Sequence, residues 1–387
     1  MKRRPLLWVA LFLAVYIASL LVFISALHIV PEVYSQNALS IVDYWKSNSI
    51  INSGFVPIFI HNGAPTPYLS HPPLAYYFLF VFNSIFGFKS YFVLNSLLVA
   101  ISAFFLYLTI CLLSVKKAKT EFSLYAWIGM VIFLTSYPIL RFQFFNYHPD
   151  IFVLPFLIVS QYVFLKLLMK ERYRSLKYLF LVGLFLAFMS YSSWFGAVFN
   201  FIIVLIALVN LRKGYKLVSY IILASLVTVS ITMLIYGQYS FHGGWKNVIF
   251  YFKDTYWRES PFYGYLKQSG IQIIVHTLKN LGVLILSLMG LVIMSALAKK
   301  RKFLFTKNGY RYLVLSFLPV VIYSLVLIHY FQNTFTSLYF TAPLIVCIAI
   351  WLEKLYKHEK TNYTALKIVG FIVVSNLSLL LYYLNLF

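Results

Sequence analysis

Carboxylates are the scarce reagent in this chain, where nine Asp and Glu stand against 32 Lys and Arg in 387 residues. Two of the nine sit at the margins of long apolar runs, Glu32 just after the first and Asp150 just before a later one. An ionised group beside hydrocarbon is costly unless it has a partner or a task, so both are candidates for moving a proton. Each is equally suited to being a solvated interfacial carboxylate. Around Asp150 the sequence reads RFQFFNYHPD, which offers Arg141, Asn146, His148 and Asp150 close together. That set can hold a phosphate or shuttle a proton. It also suits a plain turn in which Pro149 ends one helix and Asp150 caps the next.

Three further groups have chemical potential. In YLSHPPLAYYF, His71 precedes two prolines that impose an extended backbone before a short apolar segment, which holds the imidazole rigidly for chemistry or for interfacial packing. The stretch from Gly237 to Gln268 carries Lys246, Lys253, Arg258 and Lys267 among many aromatics. Aromatic faces stack on sugars or lie at lipid headgroups, and the cations suit a lipid-linked phosphate or a plain interfacial belt. Finally, LIHYFQNTFTSLYFTAPL brings His329, Gln332, Asn333 and Tyr339 near a span boundary, as donors to a diphosphate or sugar or as partners for helix ends.

Apolar helices must position these groups. The chain is 62% hydrophobic and 11% charged, a balance that a soluble core cannot accommodate and a bilayer can. Apolar runs bounded by basic turns predict about eleven spans in an all-α polytopic bundle. They fall near 6–30, 91–115, 122–140, 151–169, 178–192, 195–211, 217–236, 280–298, 312–330, 337–353 and 367–386. The pair meeting at Ser192–Trp194 is also compatible with one overlong kinked helix. Two connecting segments, 31–90 and 237–279, are long enough to be functional loops. Within the first, 32–46 suits a helix on the membrane surface, and 74–87 a short re-entrant or interfacial helix begun by Pro72-Pro73. Residues 1–387 are expected to form one membrane domain without a separate soluble module.

The placement of charge orients that bundle and excludes other classes. Net charge is +23, yet 24 of the 32 basic residues fall in the short segments 2–4, 116–119, 166–177, 212–216, 299–311 and 354–367. That asymmetry follows the positive-inside rule, with the N-terminus cytoplasmic and both long loops outside, and gives no support for a nucleic-acid partner. The two cysteines, Cys111 and Cys347, lie inside apolar runs, so a disulfide framework or zinc site is not expected. No P-loop, HExxH, GxSxG or DxD motif occurs, which argues against nucleotide hydrolysis, zinc proteolysis and serine hydrolysis.

In order along the chain, HIVPEVYSQNAL after the first span, SHPPLAYYFLFVFNSIFG, NYHPD before the fourth span and the late HYFQNTFTSLYFTAPL resemble the C-type glycosyltransferase superfamily (GT-C). The likeness is to the branch holding dolichyl-phosphate-mannose protein mannosyltransferases and bacterial lipid A aminoarabinose transferases. It extends over most of the chain. Members usually carry an Asp-Glu pair early in the first outer loop, with the aspartate implicated in catalysis; here Pro31-Glu32 occupies that place. Asp150 falls where the family has its second acidic residue, and the HPPL segment is intact at His71–Leu74.

The resemblance implies an enzyme in a prokaryotic cell membrane. Such an enzyme transfers sugar from a polyprenyl-phosphate donor to a lipid, glycan or protein acceptor on the extracytoplasmic side, with inversion. Glu32 or Asp150 would be catalytic. Arg258, Lys253 and Arg141 would meet the donor phosphate, and His71, His148, His329, Gln332 and Tyr339 the substrates. No obligatory metal is expected, with a divalent cation as the alternative, because Glu32 and Asp150 alone make a poor cage. Two competing expectations are a flippase for lipid-linked sugar and a catalytically silent assembly subunit.

Overall fold

The computed structural model describes residues 4–26, 33–61, 64–67, 72–114, 123–145, 147–170, 176–209, 270–297, 306–326, 334–359 and 369–376, with isolated positions between 226 and 253 and at 367 and 378. The described chain is almost wholly helical. In order it comprises α1 (Arg4–Ala26), α2 (Val33–Asn48), β1 (Ile58–His61), β2 (Ala64–Pro67), α3 (Leu74–Phe86), α4 (Ser90–Leu113), α5 (Leu124–Thr135), α6 (Tyr137–Phe144), α7 (Pro149–Lys170), α8 (Leu176–Ser190), α9 (Trp194–Val209), α10 (Gly270–Leu297), α11 (Lys307–Val326) and α12 (Thr334–Glu359).

Among the described residues three helices are long and apolar enough to cross a membrane: Ser90–Leu113, Pro149–Lys166 and Ser337–Lys354. These spans of α4, α7 and α12 are mostly buried in the protein and form its centre, with α5 packed on α4 and α12. Several of their hydroxyls are satisfied within their own helices. Ser102 and Thr109 donate to the carbonyls of Leu98 and Phe105, as polar side chains must where no water competes. Around this centre Leu7, Phe180, Phe201, Ile274 and Met289 are exposed. Hydrocarbon suits such a surface and water does not, as expected of an integral membrane protein.

Several expected spans differ in detail. The third is broken: α5 and α6 are bent by 49° where Ser136 adopts an extended backbone, and Pro138 follows in the first turn of α6. A proline there has no N–H to give the preceding turn, so the ladder cannot run through. The pair meeting at Ser192–Trp194 is resolved into two helices, because Asn200 of α9 donates to the carbonyl of Leu186 and to Ser190 on α8, the register of an antiparallel hairpin. Gly196 lets the hairpin close, since a Cβ there would lie 2.3 Å from the Met189 backbone. Helix α10 begins at Gly270, ten residues before the expected span at 280, so the end of the second long segment is helical. The expected span at 217–236 falls largely outside the described residues; within that expected at 367–386, residues 369–376 are described and helical.

The long first segment carries its own core at one end of the bundle. Helices α2 and α3 occur close to where 32–46 and 74–87 were expected. The apolar face of α2, however, is covered by protein rather than left for lipid: Ala38, Ile41, Val42 and Trp45 pack with Ala75, Tyr76 and Leu79 of α3, Phe92 of α4 and Phe144 of α6. Trp45 Nε1 donates to the carbonyl of Val56 at 3.1 Å. Strands β1 and β2 pair antiparallel, Ile58 opposite Pro67. They are too short for periodicity to reveal, and prolines 65 and 67 obscure the second, a residue type confined to strand edges. At the opposite end Ser114 Oγ donates to Glu353 at 2.6 Å, tying α4 to α12.

The hairpin geometry sets a stability expectation. Gly196→Ala should lower stability by about 1–3 kcal/mol, because its new methyl meets backbone that cannot step aside. Gly183→Ala, with nothing within 4 Å of its added carbon, should be close to neutral. Thermal unfolding of the two variants in detergent checks the contrast.

Candidate functional site

The α8–α9 turn, the start of α7 and the first turns of α12 meet at the end of the bundle that carries α2 and α3. Proline 149 opens α7 rather than ending the preceding helix, a position where its missing N–H costs nothing. Asp150 follows it in the first turn, where the helix dipole favours negative charge. Its side chain does more than serve its own helix. Oδ1 accepts the hydroxyl of Ser193 at 2.9 Å and that of Tyr339 at 2.5 Å, from two other elements. The carboxylate is buried, 1% exposed, so these bonds replace water that it would otherwise hold.

His148 completes the set. Its Nδ1 lies 3.2 Å from Asp150 Oδ2 and 3.3 Å from the Asp150 backbone nitrogen. With Nδ1 bare, the ring accepts that N–H; with Nδ1 protonated, it donates to the carboxylate instead. The proton position on the imidazole and the second oxygen of Asp150 are therefore linked, which is the kind of coupling that proton transfer uses.

Aromatic packing fixes the other hydroxyl. The Tyr339 ring stacks on Phe195 with centroids 3.9 Å apart and planes 11° from parallel, and Tyr323 meets Phe195 edge-on at 5.2 Å. Phe195 is also tied by its backbone, whose N–H donates to Ser193 Oγ at 3.3 Å. Serine 193 thus receives the open N–H of α9 while giving its own proton to Asp150.

The first long segment closes on this site from the side. Leu74 is the first residue after two prolines with an N–H to give, and it donates to the carbonyl of Tyr191 at 3.2 Å. Tyr77 donates to the carbonyl of Phe55 at 2.6 Å, and its hydroxyl lies 3.4 Å from that of Tyr191, which in turn donates to Gln238 at 3.0 Å. Ser35 of α2 donates to the Phe145 carbonyl at 3.0 Å and accepts the Tyr147 N–H at 2.6 Å, clasping the loop that leads into Asp150. The Tyr147 hydroxyl donates to the Ala75 carbonyl at 2.5 Å, and burial pushes its pKa well above the ordinary tyrosine range, so it remains a donor.

Of the residues singled out from the sequence, Asp150, His148 and Tyr339 are brought together. Arg141 sits partly exposed in the last turn of α6, and Lys253 is an exposed helical position. Glu32, His71, Arg258, His329 and Gln332 lie outside the described residues, as do Asn146 and Asn333. Among the described residues no group of three or more His, Cys, Asp or Glu side chains gathers. Ser193, Tyr191, Ser35, Tyr147 and Phe195 were not foreseen. For Ser193 a local signal existed, since Ser192-Ser193 interrupts two apolar runs, but a polar pair at a helix break normally marks only a cap. No protein-family model matches the chain, and none of the curated proteins matches it.

The two hydroxyls can be weighed by mutation. Tyr339→Phe keeps the stack on Phe195 and removes one donor from a buried carboxylate, which should cost about 1.5–3 kcal/mol. In an Asp150→Asn background the same change should cost about 1 kcal/mol or less. Denaturation midpoints of the four proteins in one double-mutant cycle measure the difference.

Proposed function

We propose that the chain is a GT-C-like membrane glycosyltransferase that moves a sugar from a polyprenyl-phosphate donor to an acceptor hydroxyl on the extracytoplasmic side. One observation carries this reading: the Asp150 carboxylate, buried among hydroxyls and beside His148 at the end of the bundle where α2 and α3 gather. Keeping such a group within apolar helices is costly, and intramembrane acids are by default functional. The HPPL segment supports the same reading, because its Leu74 is joined to the turn that supplies Ser193.

In the proposed reaction the acceptor oxygen attacks the anomeric carbon while the bond from that carbon to the phosphate oxygen breaks. The phosphate leaves with the electron pair, and the acceptor proton passes to Asp150 or Glu32. A single displacement inverts the anomeric centre. Arg258 or Lys253 neutralises the departing phosphate, with Arg141 as a further cation, while His71, His148, His329, Gln332 and Tyr339 contact the substrates. The N-terminus is cytoplasmic, about eleven spans complete the bundle, and a prokaryotic cell membrane is the proposed location. Basic clusters at 116–119 and 354–367 adjoin in sequence the end marked by Ser114 and Glu353, opposite Asp150, which agrees with the positive-inside rule.

A silent assembly subunit is the second reading. It is favoured by the two hydroxyls already bonded to Asp150 Oδ1 and by Pro31 standing where the family carries aspartate.

Reconstituted protein given labelled polyprenyl-phosphate sugars separates the readings. Sugar on an acceptor supports the transferase, lipid crossing alone a flippase, and neither the silent subunit. Asp150→Asn and Glu32→Gln should each reduce transfer by about 10²–10⁴-fold while leaving membrane folding intact, and full activity in both rejects the assignment. EDTA should leave turnover unchanged, since the proposed steps use side chains and the two acids are a poor metal cage.

A further inference from the structure

The turn that supplies Ser193 touches more of the molecule than a connection between two helices requires. Three residues, Tyr191 to Ser193, join α8 and α9, and each end of the turn serves a different partner. At one end the Tyr191 carbonyl accepts the Leu74 N–H, the first donor left to α3 after two prolines. At the other end the Ser193 hydroxyl donates to Asp150. The turn itself is held by Ser192 and Ser193 N–H groups on the Met189 carbonyl and by Gly196 N–H on the Ser193 carbonyl, so it has little freedom to accommodate either partner alone.

Helix α3 is in turn braced by backbone under strain. Ser49 and Phe55 are non-glycine residues with φ of 67° and 62°, a conformation that persists only where surroundings impose it. The Phe55 carbonyl is gripped by the Tyr77 hydroxyl, which also meets Tyr191. Strained loop, α3, hairpin turn and carboxylate therefore form one continuous series of hydrogen bonds.

We propose that Ser193 is the positioning residue for Asp150, and that the Tyr191–Ser193 turn couples the seating of α3 to the placement of that carboxylate. Ser193 acts through Asp150 and needs no contact with substrate. When α3 sits on the Tyr191 carbonyl, the turn presents the hydroxyl to Oδ1; when α3 lifts, the carboxylate loses the Ser193 hydroxyl. The role in turnover rests on the transferase reading, whereas the coupling itself does not.

Deuterium exchange on the full-length protein in nanodiscs tests the coupling without any assay of activity. Ser193→Ala should speed exchange at the Leu74 amide by about tenfold or more, the effect of losing a hydrogen bond to a charged group, and Ser193→Thr should restore it. Asp150→Asn, one element further away, should speed Leu74 exchange in the same direction. Unchanged exchange at Leu74 in both Ser193→Ala and Asp150→Asn overturns the coupling, and so does a uniform rise across α4, α7 and α8, which would mean only a loosened fold. In the transfer assay Ser193→Ala should lower kcat by about tenfold to a hundredfold with the donor KM within about twofold, and Ser193→Thr should recover it. A rise in KM with kcat intact overturns the positioning role. If the wild-type protein transfers no sugar, the transferase reading falls and the exchange data alone judge the coupling.

Discussion

A carboxylate with two hydroxyl donors organises one end of this molecule. Asp150 is at the start of α7, and its Oδ1 draws Ser193 from the α8–α9 turn and Tyr339 from α12 into the same few ångströms. In water those bonds would be exchangeable; inside a helical bundle the alternative is an unsatisfied charge, so they constrain where three separate elements lie. The Phe195–Tyr339 stack, the capping of α9 by Ser193 and the seating of α3 on Tyr191 all attach to that point.

The rest of the bundle is held differently. Its centre is α4, α7 and α12, apolar helices in which hydroxyls such as those of Ser102 and Thr109 bond back to carbonyls of their own helix and carry no information between helices. Close approach sets the packing there: an added carbon on Gly129 of α5 would lie 2.4 Å from Ile110 on α4 and 3.3 Å from Ala349 on α12. Small residues at such crossings let membrane helices gain dispersion contact where no hydrophobic force separates them from lipid. Polar pairing at the two ends, Asp150 with its hydroxyls and Ser114 with Glu353, then selects which helices meet.

The first long segment connects the two regimes. Its helices were legible as amphipathic stretches, yet the face of α2 that suited a lipid surface is spent on α3 and α6. Amphipathicity reports that a face must be covered, and protein or lipid covers it equally well. The same limit applies to Ser35 and Tyr147, ordinary residues by type, which matter because they lock the loop before Asp150 to α2 and α3.

By itself the sequence determined that this is a helical protein suited to a membrane, where most of its apolar runs begin and end, and that Asp150, His148 and Tyr339 are residues with chemistry to offer. Those properties follow from composition, period and the cost of charge near hydrocarbon, all local along the chain. Tertiary structure decided that Tyr339 and Asp150, 189 residues apart, share a hydrogen bond, that Ser193 joins them, and that the span expected at 122–140 breaks at Ser136. Pairing across such distances depends on how helices pack, and packing is set by the shapes of many side chains at once rather than by any short stretch of residues.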